Sequence, residues 1–288
     1  MFEGLVQVAA LFPQALLAGV AVAVACSLLG VLAVLRRVIF IGITLSEVAN
    51  LGVALGLAWG LPHLPLAGGL TLAAAAALAM PRGYGRLTRE AVLGVVFVLA
   101  SSLAILVVAK SGFGLGEVKA LLYGDLLLAT PADARLMLAV LGPVVLVLLV
   151  CLRPIAFSFL DRDAAQVLGL RVAWWELVYF ACLGLAVAAA AKAAGAILVF
   201  GHLVIAPSAA LVLCRRLGWA LVWAAGLAVA ATLAGLGWSF AADLPASQCI
   251  CVVEGLLLGA ALLGRLALGL VRRGRAPGAQ PPLGPQVP

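Results

Sequence analysis

Residues Gln14–Arg37 read QALLAGVAVAVACSLLGVLAVLRR, 22 residues without a charge closed by two arginines. A bilayer's hydrocarbon core is ~30 Å thick and a helix rises ~1.5 Å per residue, so ~20 apolar residues cross it once. Backbone amides find no water there, so such a run is helical. The signature recurs at Ile41–Gly60, Pro65–Met80, Ala91–Val108, Leu136–Leu152, Trp174–Ala191, Ala193–Leu213, Trp219–Ala241 and Cys249–Leu270. The chain therefore reads as an all-α, polytopic transmembrane helical bundle of eight or nine spans over residues 1–273. The third and fifth runs are short, which leaves room for eight full spans and one re-entrant element.

Composition agrees. Charged residues are 10% of the chain and hydrophobic ones 66%, against ~25% charged in a soluble domain. Mean hydropathy is +1.26. Orientation follows from Lys and Arg in the short loops. With the N-terminus outside, fourteen basic residues fall on the inner side, among them Arg36, Arg37, Arg153, Arg162, Arg171, Arg215 and Arg216. Lys110, Lys119, Arg135 and Lys192 alone fall outside, so the C-terminus is expected in the cytoplasm. The net charge of +7 is then a topology signal, and no loop is large enough to bind nucleic acid. Glu3 and a long first apolar run speak against a cleavable signal. Residues Gly274–Pro288, rich in Pro and Gly, read as a disordered cytoplasmic tail.

The chain lacks a GxxxxGK[ST] loop and an HExxH run, and its two histidines have no nucleophile at a recognisable spacing. An enzyme is not expected, and any ATP must be hydrolysed by another chain. Six scattered cysteines read as small apolar residues, with no CxxC. The 32 glycines suit close helix packing; Gly52, Gly56 and Gly60 form two GxxxG steps, and Gly255 and Gly259 a third. No inverted repeat of the kind secondary carriers show is visible.

Three ionisable residues lie well inside spans: Glu47, His202 and Glu254. A charge there costs ~2.5–3.5 kcal/mol on insertion scales, so such residues face a cavity or a partner. Two carboxylates and an imidazole suit a divalent cation, or a proton relay. Ser46 and Asn50 stand beside Glu47 and add polar groups to a translocation pathway; Glu254 is equally readable as a partner for another helix. Glu176 and Lys192, near span ends, are expected to snorkel to the interface.

The inner loop Phe159–Gly169 carries its own helix punctuation. Asp161 or Asp163 can cap it, the latter with Gln166 as reciprocal partner. Gly169 supplies a left-handed stop. A capped helix at the inner surface suits transmission of force from a cytoplasmic partner, and equally suits a plain connector.

Several runs resemble the ABC-type zinc, manganese and iron permeases. They include Ala15–Gly19, Val34–Arg37, Phe40–Gly42, Leu45-Ser46, Gly52–Gly56, Leu122–Leu127, Thr130–Asp133, Lys192–Phe200 and Pro207–Ala210. Asp161, Ala165, Leu168 and Gly169 match the family's coupling helix, with Asp163 inside it. The resemblance covers most of the chain in the family's order. It implies an import permease of the cell membrane, paired with a second copy around a central pathway. A cytoplasmic ATP-binding subunit using ATP and magnesium would press on the coupling helix. An extracellular or periplasmic binding protein would deliver the cation. One departure matters: where the family carries a GDxLSH-like run, Ile43 stands for the acid and Glu47 for the histidine. The usual ligand set does not carry over, and Glu47 with His202 is the remaining metal-ligating candidate. Three rival readings stand: an ABC permease for a non-metal substrate, a proton-coupled carrier using Glu47, His202 and Glu254, and a membrane subunit that only docks partners.

Overall fold

A computed structural model describes residues 11–79, 89–110, 126 and 130–274. They form α1 (Pro13–Leu35), α2 (Phe40–Trp59), α3 (His63–Ala79), α4 (Arg89–Lys110), α5 (Pro131–Val150), α6 (Leu152–Leu160), α7 (Arg162–Val167), α8 (Val172–Ala194), α9 (Ala196–Leu213), α10 (Leu217–Ala242) and α11 (Ala246–Gly274). Among the described residues there is no strand. Eight helices are long and apolar enough to cross a membrane. The fold is thus the expected all-α polytopic bundle. The proposed tail beyond Gly274, and most of the Leu122–Leu127 run, lie outside the described residues.

The fifth run is longer than its hydrophobicity suggests. It begins at Pro131, five residues before the first apolar stretch, and spans 20 residues. Thr130 Oγ1 accepts from the Asp133 amide at 3.2 Å, and Asp133 accepts from the Thr130 amide at 3.2 Å. This capping box, with Pro131 in the first turn, sets the start and corrects the reading of this run as short.

The third run is short, at 17 residues. It nevertheless runs back along α2. A Cβ added at Gly56 would meet the Cα of His63 at 2.5 Å, and one at Gly52 the Cα of Ala67 at 2.4 Å. Two turns of α2 thus oppose successive turns of α3 in antiparallel order, as the first two GxxxG glycines suggest. Gly60, in the left-handed conformation at φ 65°, makes the turn between them. Then α4 starts beside the beginning of α2, where the Thr44 hydroxyl reaches the Leu93 carbonyl at 3.3 Å. So α3 returns the chain to the end of the bundle from which α2 left, and the re-entrant alternative falls. Gly255 and Gly259 meet nothing within 4 Å, so that step packs no helix of this chain.

Helices α2, α3, α4 and α8 form one group, and α1, α9, α10 and α11 another, with α8 also touching α1 and α9. The seam between α1 and α9 is tight: a Cβ at Gly30 would lie 2.2 Å from the Leu203 carbonyl oxygen. Arg36, Arg37, Arg171, Arg215 and Arg216, between helices, and Arg153 and Arg162, in the first turns of α6 and α7, lie on one side of the bundle. This is the side where α6 and α7 sit.

Candidate functional site

Two separate polar clusters occupy the bundle, and a third feature lies on its basic end. Glu47 sits two turns into α2, ~10 Å from the helix start by helical rise. It is 5% exposed, and Oε2 has no hydrogen-bond partner. Asn50, one turn on and on the same face, is buried with its side-chain nitrogen likewise unpartnered. Ser101 of α4 approaches the carboxyl from across the α2–α4 seam. Ser46 is buried, but its hydroxyl is spent on the Gly42 carbonyl at 3.0 Å, within its own helix. Buried polar atoms are normally paired. A carboxylate oxygen left open midway through an apolar helix forms a place where a cation's charge would be welcome, whereas the open atom of Asn50 is an N–H donor, so only the amide oxygen of Asn50 could serve a cation. Carboxylate, amide and hydroxyl groups are oxygen donors of the kind hard divalent cations accept.

His202 and Glu254 do meet. Nδ1 of the imidazole, on α9, is 2.6 Å from Oε1 of Glu254 on α11, and both side chains are fully buried. Thr232 of α10 lies 3.5 Å from Nε2 and donates its own proton to the Ala228 carbonyl at 2.8 Å. The pair therefore ties three helices together. Glu254 Oε2 stays without a partner, close against Gly201. The hydrogen-bond partners of His202 and those around Glu47 do not overlap. Among the described residues no group of three or more His, Cys, Asp or Glu is placed to hold a metal ion.

Helix α7 is capped by Asp161, whose Oδ1 accepts from the Ala164 amide at 3.0 Å. Asp163 lies in the first turn, exposed, so the alternative with Asp163 as cap and Gln166 as partner is corrected. The stop is as expected. Gly169 has φ 78°, its amide donates to Gln166, and the Leu170 amide donates to Ala165, the paired bonds of a Schellman end. Ala165 is fully buried and holds α7 to the bundle, while Val167 and Leu168 are 87% and 71% exposed. Two adjacent large apolar side chains thus point away from the protein at its basic end.

Residues 9–264 match the ABC 3 transport family. The chain belongs to that family. It is similar to the manganese transport system membrane protein MntC of Halalkalibacterium halodurans, 26% identical over 90% of this chain and 89% of the relative. It is also similar to the high-affinity zinc uptake system membrane protein ZnuB of Haemophilus influenzae, 26% identical over 88% of this chain and 97% of the relative. Among solved structures, PsaBC from Streptococcus pneumoniae in complex with Fab has the same fold. Its TM-score is 0.81 at 18% identity, covering 91% of this chain and 95% of that one. This ABC 3 chain is accordingly a multi-pass permease subunit of the cell membrane.

The structure adds residues that the sequence reading did not single out. Ser101 had a signal, since Ser101-Ser102 is the sole polar interruption of the run Ala91–Val108. Thr232 had none, being one hydroxyl in a helix rich in alanine. Glu176 corrects an expectation: it does not snorkel outward but is 1% exposed, held between Arg36 and Arg162. The side chain of Lys192 lies outside the described residues.

Proposed function

We propose that this permease is the membrane half of an ATP-driven importer for a divalent metal cation. Two copies enclose the pathway, a cytoplasmic ATP-binding subunit docks on α7 and hydrolyses ATP with magnesium, and an extracellular or periplasmic binding protein delivers the ion. The basic end of the bundle faces the cytoplasm, as the excess of arginine there favours. The observation that carries the reading is Glu47, a buried carboxylate with an open oxygen midway through a span. An ionisable group with an open oxygen inside a span is costly and points to an ion route. The names of the manganese and zinc relatives point to the same class of cargo. Glu47 would hold the cation briefly, since ligation has to be weak enough for release. Ile43 supplies no ligand next to it.

His202 and Glu254 favour a different role. Their short contact, with Thr232 beside the imidazole, suits a clamp among α9, α10 and α11, although Glu254 Oε2 stays open.

The test is Glu47→Gln in the reconstituted complex. Losing a charged contact of ~1.5–3 kcal/mol raises the cation concentration for half-maximal uptake about 10–100-fold. Assembly with the ATPase stays intact, because the substitution is nearly isosteric. Wild-type uptake by the Gln variant at limiting manganese and at limiting zinc would remove Glu47 from the pathway.

A further inference from the structure

Glu176 sits in the second turn of α8 with its side chain 2% exposed, between arginines from two other elements. Arg36, the residue after α1, donates from Nη2 to Glu176 Oε1. Arg162, the first residue of α7, donates from Nη1 to the same oxygen at 3.4 Å. The Arg36 guanidinium also lies 4.3 Å from the ring centre of Phe159, near the end of α6. That ring packs edge-on against Tyr179 at 4.8 Å, and the Tyr179 hydroxyl donates to the Leu29 carbonyl of α1 at 2.8 Å. One carboxylate is therefore the meeting point of α1, α7 and α8, with Phe159 of α6 stacked on its Arg36 partner.

The two arms differ. Arg36 is 14% exposed and held by the ring as well as the carboxylate, whereas Arg162 is 41% exposed and further away. The Arg36 arm is the fixed one. Beyond Arg36 the chain turns into α2 within three residues, with Arg37 at φ 59°, a left-handed conformation that a non-glycine residue rarely holds. Such a conformation persists only where the surroundings impose it. The helix that starts there carries Glu47 seven residues on.

We propose that Glu176 is the joint that carries movement of α7 to the pathway helix α2. Displacement of α7 moves Arg162 against Glu176; Glu176 moves Arg36; and Arg36 turns the tight Arg37–Ile39 link that sets the start of α2. Glu176, Arg162 and Arg36 are positioning residues, touching neither cargo nor nucleotide. This inference rests on the ATP-driven reading above, and it explains why an acidic residue is buried at the foot of α8. Arginine suits both arms, because its guanidinium stays charged and donates in a fixed plane.

The experiment compares Arg162→Gln, Glu176→Gln and the double variant in proteoliposomes containing the ATPase and binding protein. Cations taken up are counted per ATP hydrolysed. Arg162→Gln removes the exposed arm alone and leaves the buried Arg36–Glu176 pair in place, so it decides the question even if Glu176→Gln folds poorly. Expected is a drop of about tenfold in cations per ATP for Arg162→Gln, within the usual range of coupling between sites, with ATP hydrolysis retained. The double variant should fall no further than Glu176→Gln, because both break one linkage. Cations per ATP at the wild-type level in Arg162→Gln would overturn the proposal. So would effects that multiply, or an Arg162→Gln chain that no longer retains the ATPase, which would make Arg162 part of the docking face. If the wild-type complex itself shows no ATP-driven uptake, the functional reading fails rather than this joint.

Discussion

Leu168→Asp abolishes retention of the ATPase and, with it, ATP-driven uptake. Val167, the last residue of the six-residue helix, and its cap Leu168 have most of their surface uncovered, next to a glycine stop that fixes their direction. Burying one such side chain against a partner contributes ~1.5–3 kcal/mol. An aspartate forfeits that and brings an unpaired charge into the contact, a cost of several kcal/mol more. At ~1.4 kcal/mol per tenfold, the affinity falls by a factor on the order of 1,000 or more. The fold of the permease is untouched, because Leu168 supports nothing in the bundle; Ala165, fully buried, holds α7 in place. Co-purification of the ATPase with the variant, alongside its helical circular dichroism, checks both halves. Undiminished co-purification would show that α7 is only a connector.

His202→Ala has the largest effect on stability. It leaves Glu254 with neither oxygen partnered, in a site with no exposure at all. Breaking a buried pair by removing one member typically costs ~3–5 kcal/mol. The loss appears as a lower unfolding temperature in detergent. Replacing both members by leucine removes the stranded carboxylate and recovers most of that loss, since apolar side chains often substitute for buried pairs without penalty. The double variant also decides the role of the pair. Uptake at the wild-type rate identifies a clamp among α9, α10 and α11; a stable double variant without uptake identifies a pathway or relay group and overturns the clamp.

Much of the bundle is readable from hydrophobic runs because backbone groups in lipid have few options. Run length alone misplaced the start of α5, since its first turn is built on Thr130, Pro131 and Asp133, which lie outside the hydrophobic window. The capping box was the available signal. It also left α3 ambiguous, and the tight Gly52–Ala67 and Gly56–His63 contacts settle its direction. For the polar clusters, sequence shows which residues are out of place in a span but not which ones meet. Glu47, His202 and Glu254 looked like one set, yet helix arrangement pairs the last two and turns Glu47 toward α4. Glu176 looked like a surface charge because it lies near a helix end. Its burial depends on Arg36 and Arg162, 140 and 14 residues away in sequence. Such long-range pairing leaves no local trace.

The most direct measurement is uptake of manganese and zinc by proteoliposomes holding this permease, the ATPase and the binding protein. Accumulation that requires ATP, stops when the ATPase is omitted and ignores an imposed pH gradient is the predicted result. Accumulation driven by the pH gradient, with the ATPase left out, would contradict the account.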